Sequence, residues 1–120
     1  MENYHARVEL RQEGDITILE LMDKEILDET TINEIADSLF TVVAERSPVK
    51  MVLSFAKVKH LSSMALGTLI RLNKRVEEGG GELKLCTIIK SLYEVFVITK
   101  LNKLFAIYDT EEKALESFYE

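Results

Sequence analysis

The chain has 120 residues, enough for one domain spanning 1–120, and 47% of them are hydrophobic, enough for one core without staples. Fifteen Lys and Arg against 21 Asp and Glu give a formal charge of −6, which argues against a nucleic-acid partner, because a phosphate-backbone reader needs a basic face. The single thiol, Cys86, excludes an internal disulfide, the start Met1 to His5 lacks a signal pattern, and no apolar run nears the ~18 residues that cross a bilayer, so a cytoplasmic protein with no membrane contact is expected.

Ala6 to Leu10 reads as a short strand, closed by the turn Glu13-Gly14-Asp15. Asp15 to Met22 alternates around Ile16, Ile18 and Leu19, which predicts the second strand of a hairpin. Ile26-Leu27 is a brief apolar step. Thr31, with Glu34 three residues on, matches a capping box, and Ile32, Ile35, Ala36, Leu39 and Val43 follow at helical spacing until Pro48 stops the run.

Met51 to Phe55 is a compact apolar run, the signature of a central strand buried on both faces. Ala56 to Leu61 reads as a crossover. From Ser62 the pattern is helical again, with Ala65, Leu69, Leu72 and Val76 on one stripe and Arg71, Lys74, Arg75, Glu77 and Glu78 opposite. Gly79-Gly80-Gly81 stops this helix. Glu82 to Ile88 predicts a further strand. Ser91 and Glu94 form a second capping box before Leu92, Val95 and Phe96, Phe105 to Tyr108 is a last short strand, and Asp109 with Glu112 caps a final helix. Strands alternating with helices predict an α/β fold: a mixed, mostly parallel sheet with an N-terminal hairpin, packed by about four helices.

Chemistry is sparse. His5, His60 and Cys86 show no metal-ligand spacing, so no metal and no cofactor are expected. The serine neighbourhood Leu61-Ser62-Ser63-Met64-Ala65 lacks the glycines of a nucleophile elbow, and no catalytic residue is assigned. The triple glycine follows a helix, the reverse of a phosphate cradle. Cys86 has apolar neighbours and reads as a small core residue.

What remains is the pair Ser62-Ser63. A serine between strand and helix is first of all a favoured N-cap. It is also a place where a phosphate would meet unpaired amides and the positive end of a helix. Met64, Ala65 and Leu66, which follow, fit either a docking face or a cover on the core.

The segment Met51 to Phe55, the crossover and Leu61-Ser62-Ser63-Met64-Ala65-Leu66-Gly67 resemble the central segment of the STAS family, and within it the bacterial anti-sigma-factor antagonists, where an apolar strand precedes Asp-Ser-Ser/Thr-Gly-Leu-Gly. Glu77 to Leu83, Leu101 to Asp109 and Glu111 to Leu115 are also similar, so the resemblance covers nearly the whole chain. With Leu66-Gly67 setting the register, Ser63 falls on the family's phosphorylated serine and Asp28 on its early acidic residue. Ser62 replaces the family's aspartate, Met64 its second hydroxyl residue and Ala65 its glycine. The resemblance implies a non-enzymatic STAS domain that binds an anti-sigma factor serine kinase and is switched by phosphorylation of Ser63, with Asp28, Ser62, Met64, Ala65 and Leu66 around the phosphosite. A phosphatase and a second copy in a homodimer are the further partners expected. Two other readings stand beside it: a non-switching STAS scaffold or subunit of a stress-signalling or transport assembly, and a small ligand-binding domain.

Overall fold

A computed structural model describes residues 5–120; of the N-terminal stretch read for a targeting signal, residues 1–4 lie outside the described residues. The chain opens with a hairpin, β1 (Val8–Glu13) antiparallel to β2 (Ile16–Leu21), in the register Val8↔Leu21 to Glu13↔Ile16. Gly14 turns it with φ +61, a left-handed conformation that costs glycine little. The first strand lies two residues later than its composition suggests. Then follow β3 (Glu25–Ile26), α1 (Glu29–Arg46), β4 (Lys50–Ser54), β5 (His60–Leu61), α2 (Ser63–Glu78) and β6 (Glu82–Cys86). The chain closes with α3 (Lys90–Ile98), a 3-10 turn (Leu101–Lys103), β7 (Ala106–Tyr108) and α4 (Glu111–Ser117).

The main sheet has the order β1-β2-β4-β6-β7, parallel throughout except at the hairpin, as the alternation of strands and helices predicts. A second, two-stranded sheet pairs β3 with β5. Strand periodicity divides the core between the two faces of the main sheet. One face sends Leu19, Leu21, Met51, Leu53 and Leu85 into the larger core with Leu39 and Val42 of α1, Leu69 and Leu72 of α2, and Phe96 of α3. The other sends Ile16, Ile18, Val52 and Cys86 under Ala114, Leu115 and Phe118 of α4 and its end. Cys86 is fully buried there, as its neighbours imply, and burial pushes its thiol up.

Three helix starts differ from expectation. Asp28, not Thr31, caps α1; Glu34, which the capping box would have used, instead accepts from Arg7 Nε at 2.7 Å. Helix α3 begins at Lys90 after Ile89, which packs on the core and supplies no cap, so Ser91 lies inside the helix. Thr110 rather than Asp109 caps α4, its hydroxyl accepting from the Lys113 N–H at 3.1 Å, while Asp109 faces the Lys113 ammonium. Strand β6 stops at Cys86 because Thr87 adopts φ +60, which a straight strand cannot contain.

Candidate functional site

The turn between β5 and α2 is built by two strands of two residues each. Glu25 and Ile26 run parallel to His60 and Leu61, and the Ser62 N–H extends the ladder by donating to the Ile26 carbonyl at 3.1 Å. Each strand feeds a helix within a few residues, so α1 and α2 start side by side. Both starts use an extended cap. The Asp28 carboxylate accepts from the Thr31 N–H at 3.0 Å, and the Ser62 hydroxyl accepts from the Ala65 N–H at 3.2 Å. The Thr31 main-chain bond, aided by the Thr31 hydroxyl, holds the Asp28 carboxyl below the usual carboxylate range.

The serine pair thus divides. Ser62 is half-buried and committed to the fold, while Ser63, the first residue of α2, is exposed. The apolar residues after it divide too. Met64 is 44% exposed, whereas Ala65 and Leu66 are buried, so their side chains belong to the core and only Met64 offers apolar surface. Thr68 anchors the first turn by donating to the Met64 carbonyl at 3.2 Å.

Two exposed residues join Met64 among the loops of this end: Leu27, just after β3, and Met22, just after β2. Neither stands out in the sequence, because each follows an apolar residue that is buried, Leu21 and Ile26, and reads as the end of the same apolar step. Beneath the turn, between α1 and α2, lies an apolar gap of about 20 Å³ lined by Ile26, Ile32, Ile35, Leu61, Ala65 and Leu69, among others. It has room for about one water and few polar partners for it. Among the described residues no three His, Cys, Asp or Glu side chains come together to hold a metal ion, and no helix is long and apolar enough to cross a membrane. The site can present a hydroxyl at a rigid, capped helix start, and an apolar and acidic rim around it.

The family model of the STAS domain matches residues 7–114. The "Anti-sigma F factor antagonist" of Paenibacillus polymyxa is 24% identical over 111 residues, covering 92% of this chain and 93% of that one. Among solved structures, an anti-sigma-factor antagonist (STAS) domain protein from Planctomyces limnophilus superposes with a TM-score of 0.85 at 22% identity, covering 94% of this chain and 98% of that one. The Bacillus cell fate determinant SpoIIAA in its phosphorylated form superposes with a TM-score of 0.68 at 17% identity, covering 92% and 98%. At such identities the solved structures establish a shared fold.

Proposed function

This chain belongs to the STAS domain family, and on that premise we propose that it is an anti-sigma-factor-antagonist-like regulator that docks on an anti-sigma factor with kinase activity and is switched at Ser63. The observation that carries the reading is the division of labour at the turn: Ser62 caps α2, and Ser63 stands exposed one residue further on. Relatives bearing the antagonist name support the same role.

The chemistry asked of this chain is small. The partner holds ATP; an O–P bond forms between Ser63 Oγ and the γ-phosphorus, the bond to the bridging oxygen breaks, ADP leaves, and the hydroxyl proton passes to a base on the partner. Ser63 is only the acceptor. The phosphate then adds about −1.5 to −2 charges beside Met64 and within the reach of a partner docked on Leu27 and Asp28. Such a charge in an apolar contact repels without refolding anything. Ser62 keeps the cap that an aspartate would make, with one charge fewer beside the acceptor.

The test is to incubate the chain with its cognate anti-sigma factor kinase and ATP. Phosphate is expected on Ser63, none on Ser63→Ala, and partner binding is expected to be lost in Ser63→Asp. Phosphate on another residue, or undiminished binding by Ser63→Asp, overturns the switch. Binding without any phosphoserine in cells leaves the non-switching scaffold as the reading.

A further inference from the structure

The connections of the main sheet change side after β7. From β2, β4 and β6 the chain passes into α1, α2 and α3, whose Leu39, Leu69 and Phe96 lie in the larger core on one face. From β7 it passes into α4, whose Ala114 lies in the smaller core on the other face. Strands β6 and β7 are parallel neighbours, in the register Lys84↔Ala106 to Cys86↔Tyr108, so the segments that follow them part to opposite faces. Such a parting opens a crevice outside the carboxyl ends of the two strands, the place where open α/β sheets bind ligands. A cavity of about 320 Å³ lies there, lined by Ile88, Lys90 and Tyr93 after β6 and by Ile107, Tyr108 and Asp109 at the end of β7. Small-molecule sites run from about 300 to about 1,000 Å³, so it is large enough for a small ligand.

Its walls are held from behind. Thr87 turns the chain out of β6 with φ +60, and its N–H donates to the Tyr108 carbonyl at 3.2 Å, which ties the two strand ends together. The Tyr108 ring is half-buried, with the Lys84 ammonium 5.5 Å from its centre, and Lys84 is itself fixed by its bond to Ser117 Oγ. Ile88 and Ile107 pack on the larger core. Lys90 and Tyr93 stand exposed on the first turn of α3. Asp109 is exposed too, with a loose contact to Lys113 at 3.8 Å. The lining therefore presents two phenol rings, two branched aliphatic side chains, one ammonium and one carboxylate. Of the charges that flank it, Glu111 is paired with Arg11, while Glu94, Glu112 and Lys113 lie outside the lining. The carboxylate is what selects: it repels a phosphate dianion that Lys90 alone would accept, and it can accept from an ammonium.

We propose that this crevice binds a small aromatic zwitterion, an amino acid of the tryptophan or phenylalanine kind, with its carboxylate on Lys90, its ammonium on Asp109 and its ring against Tyr93, Tyr108 and the two isoleucines. Ring against ring adds to what the buried apolar area alone contributes. The site does not rest on the kinase reading. Lys90 and Tyr93 occupy one side of α3, while Ser91, Leu92 and Val95, about half a turn round the helix, line a separate cleft with Lys59, His60 and Leu61 beside the serine turn. The ligand and a partner docked at Ser63 thus approach α3 from different sides.

The test is titration of the isotope-labelled full chain with L-tryptophan, followed by its amide chemical shifts. Saturable shifts are expected from Ile88 to Tyr93 and from Ile107 to Asp109, with a dissociation constant below about 1 mM. Lys90→Gln is expected to weaken L-tryptophan and indolepropionate, which lacks the ammonium, by about fivefold each. Asp109→Asn is expected to weaken L-tryptophan and tryptamine, which lacks the carboxylate, by a similar factor and to leave indolepropionate no weaker. L-leucine, which has no ring, is expected to bind about fivefold more weakly than L-tryptophan. Both substituted residues are exposed, and circular dichroism checks that each variant folds. No saturation up to about 10 mM, shifts centred elsewhere, or binding unchanged in both variants overturns the proposal. Adenosine monophosphate bound more tightly than L-tryptophan at the same amides overturns it in favour of a phosphate ligand. Phosphate transfer to Ser63 in the Lys90→Gln variant reports on the kinase reading separately.

Discussion

The main-chain N–H of Ser62 donates to the carbonyl of Ile26 at 3.1 Å, and this bond ties the start of α2 to the strand that leads into α1. Two helices far apart in sequence are thereby set going from one short ladder. The cap residues Asp28 and Ser62 are the next consequence of that geometry.

Removing the hydroxyl of Ser62 is expected to weaken the fold while leaving the Ser63 hydroxyl in place. Ser62→Ala loses the bond to the Ala65 N–H and is expected to cost about 1 kcal/mol in urea denaturation. Ser62→Asp restores an acceptor at the same place and is expected to recover most of that loss. Equal stability of all three proteins contradicts the cap.

The Asp28 cap makes part of the stability depend on pH. Its carboxyl is held low in the folded chain by the Thr31 main-chain bond. Its contribution is therefore complete above the unfolded-state value of about 3.9 and drains away as pH falls through the lowered folded value. Asp28→Ala is expected to be less stable than the parent at neutral pH, with the gap closing below that range. Unfolding midpoints of the two proteins across the acid limb measure it, and a constant gap refutes it.

Two glycines are expected to respond oppositely to alanine. A Cβ on Gly81 would lie 2.3 Å from the Val49 carbonyl oxygen and 2.8 Å from its nitrogen, both main-chain atoms that cannot swing aside. Gly81→Ala is expected to cost about 3 kcal/mol or more. A Cβ on Gly67, inside α2, meets nothing within 4 Å. Gly67→Ala is expected to stabilise by roughly 0.5–1 kcal/mol, because alanine loses less backbone freedom in a helix. Thermal unfolding of the pair checks both signs.

Cys86 offers a probe of the layer under α4. Its thiol is fully buried among Ile16, Ile18, Val52 and Ala114, and burial pushes its pKa up. Reaction with a disulfide reagent is expected to be far slower than for an exposed thiol and to require release of α4. Lys84 fastens that helix: its ammonium donates to Ser117 Oγ at 2.6 Å and lies 4.1 Å from the centre of the Phe118 ring. Lys84→Ala is expected to speed the labelling of Cys86 several-fold at unchanged thiol chemistry. An unaltered rate shows that α4 is not the gate.

Much of the fold is legible in the residues, for a physical reason. Ile32, Ile35, Leu39 and Val43 of α1, and Leu69, Leu72 and Val76 of α2, each bury a stripe whose period is the helix itself. Met51 to Leu53 announces a strand covered on both faces. The ladder of β3 and β5 has no such voice, because two residues are too few to show a period. Caps mislead for a related reason: Thr31 with Glu34 has the spacing of a box, but Arg7, distant in sequence, claims Glu34. At the site, the spacing reveals a helix start after Leu61, yet it cannot say that Met64 points outward while Ala65 and Leu66 turn in, since a first turn can be rotated either way until its neighbours are placed.

The spatial order of the main sheet, β1-β2-β4-β6-β7, is also its order along the chain. No strand has to be threaded between two that are already paired; each new one joins an open edge. A ribosome releasing this chain from its N-terminus can therefore lay down the sheet one unit at a time. By the time Glu78 has emerged, β3, β5 and both capped helix starts are available, with β6, β7 and α4 still to come. The serine turn belongs to the part of the molecule that is assembled early, and the final helix only closes the far side of a sheet whose two capped helix starts already exist.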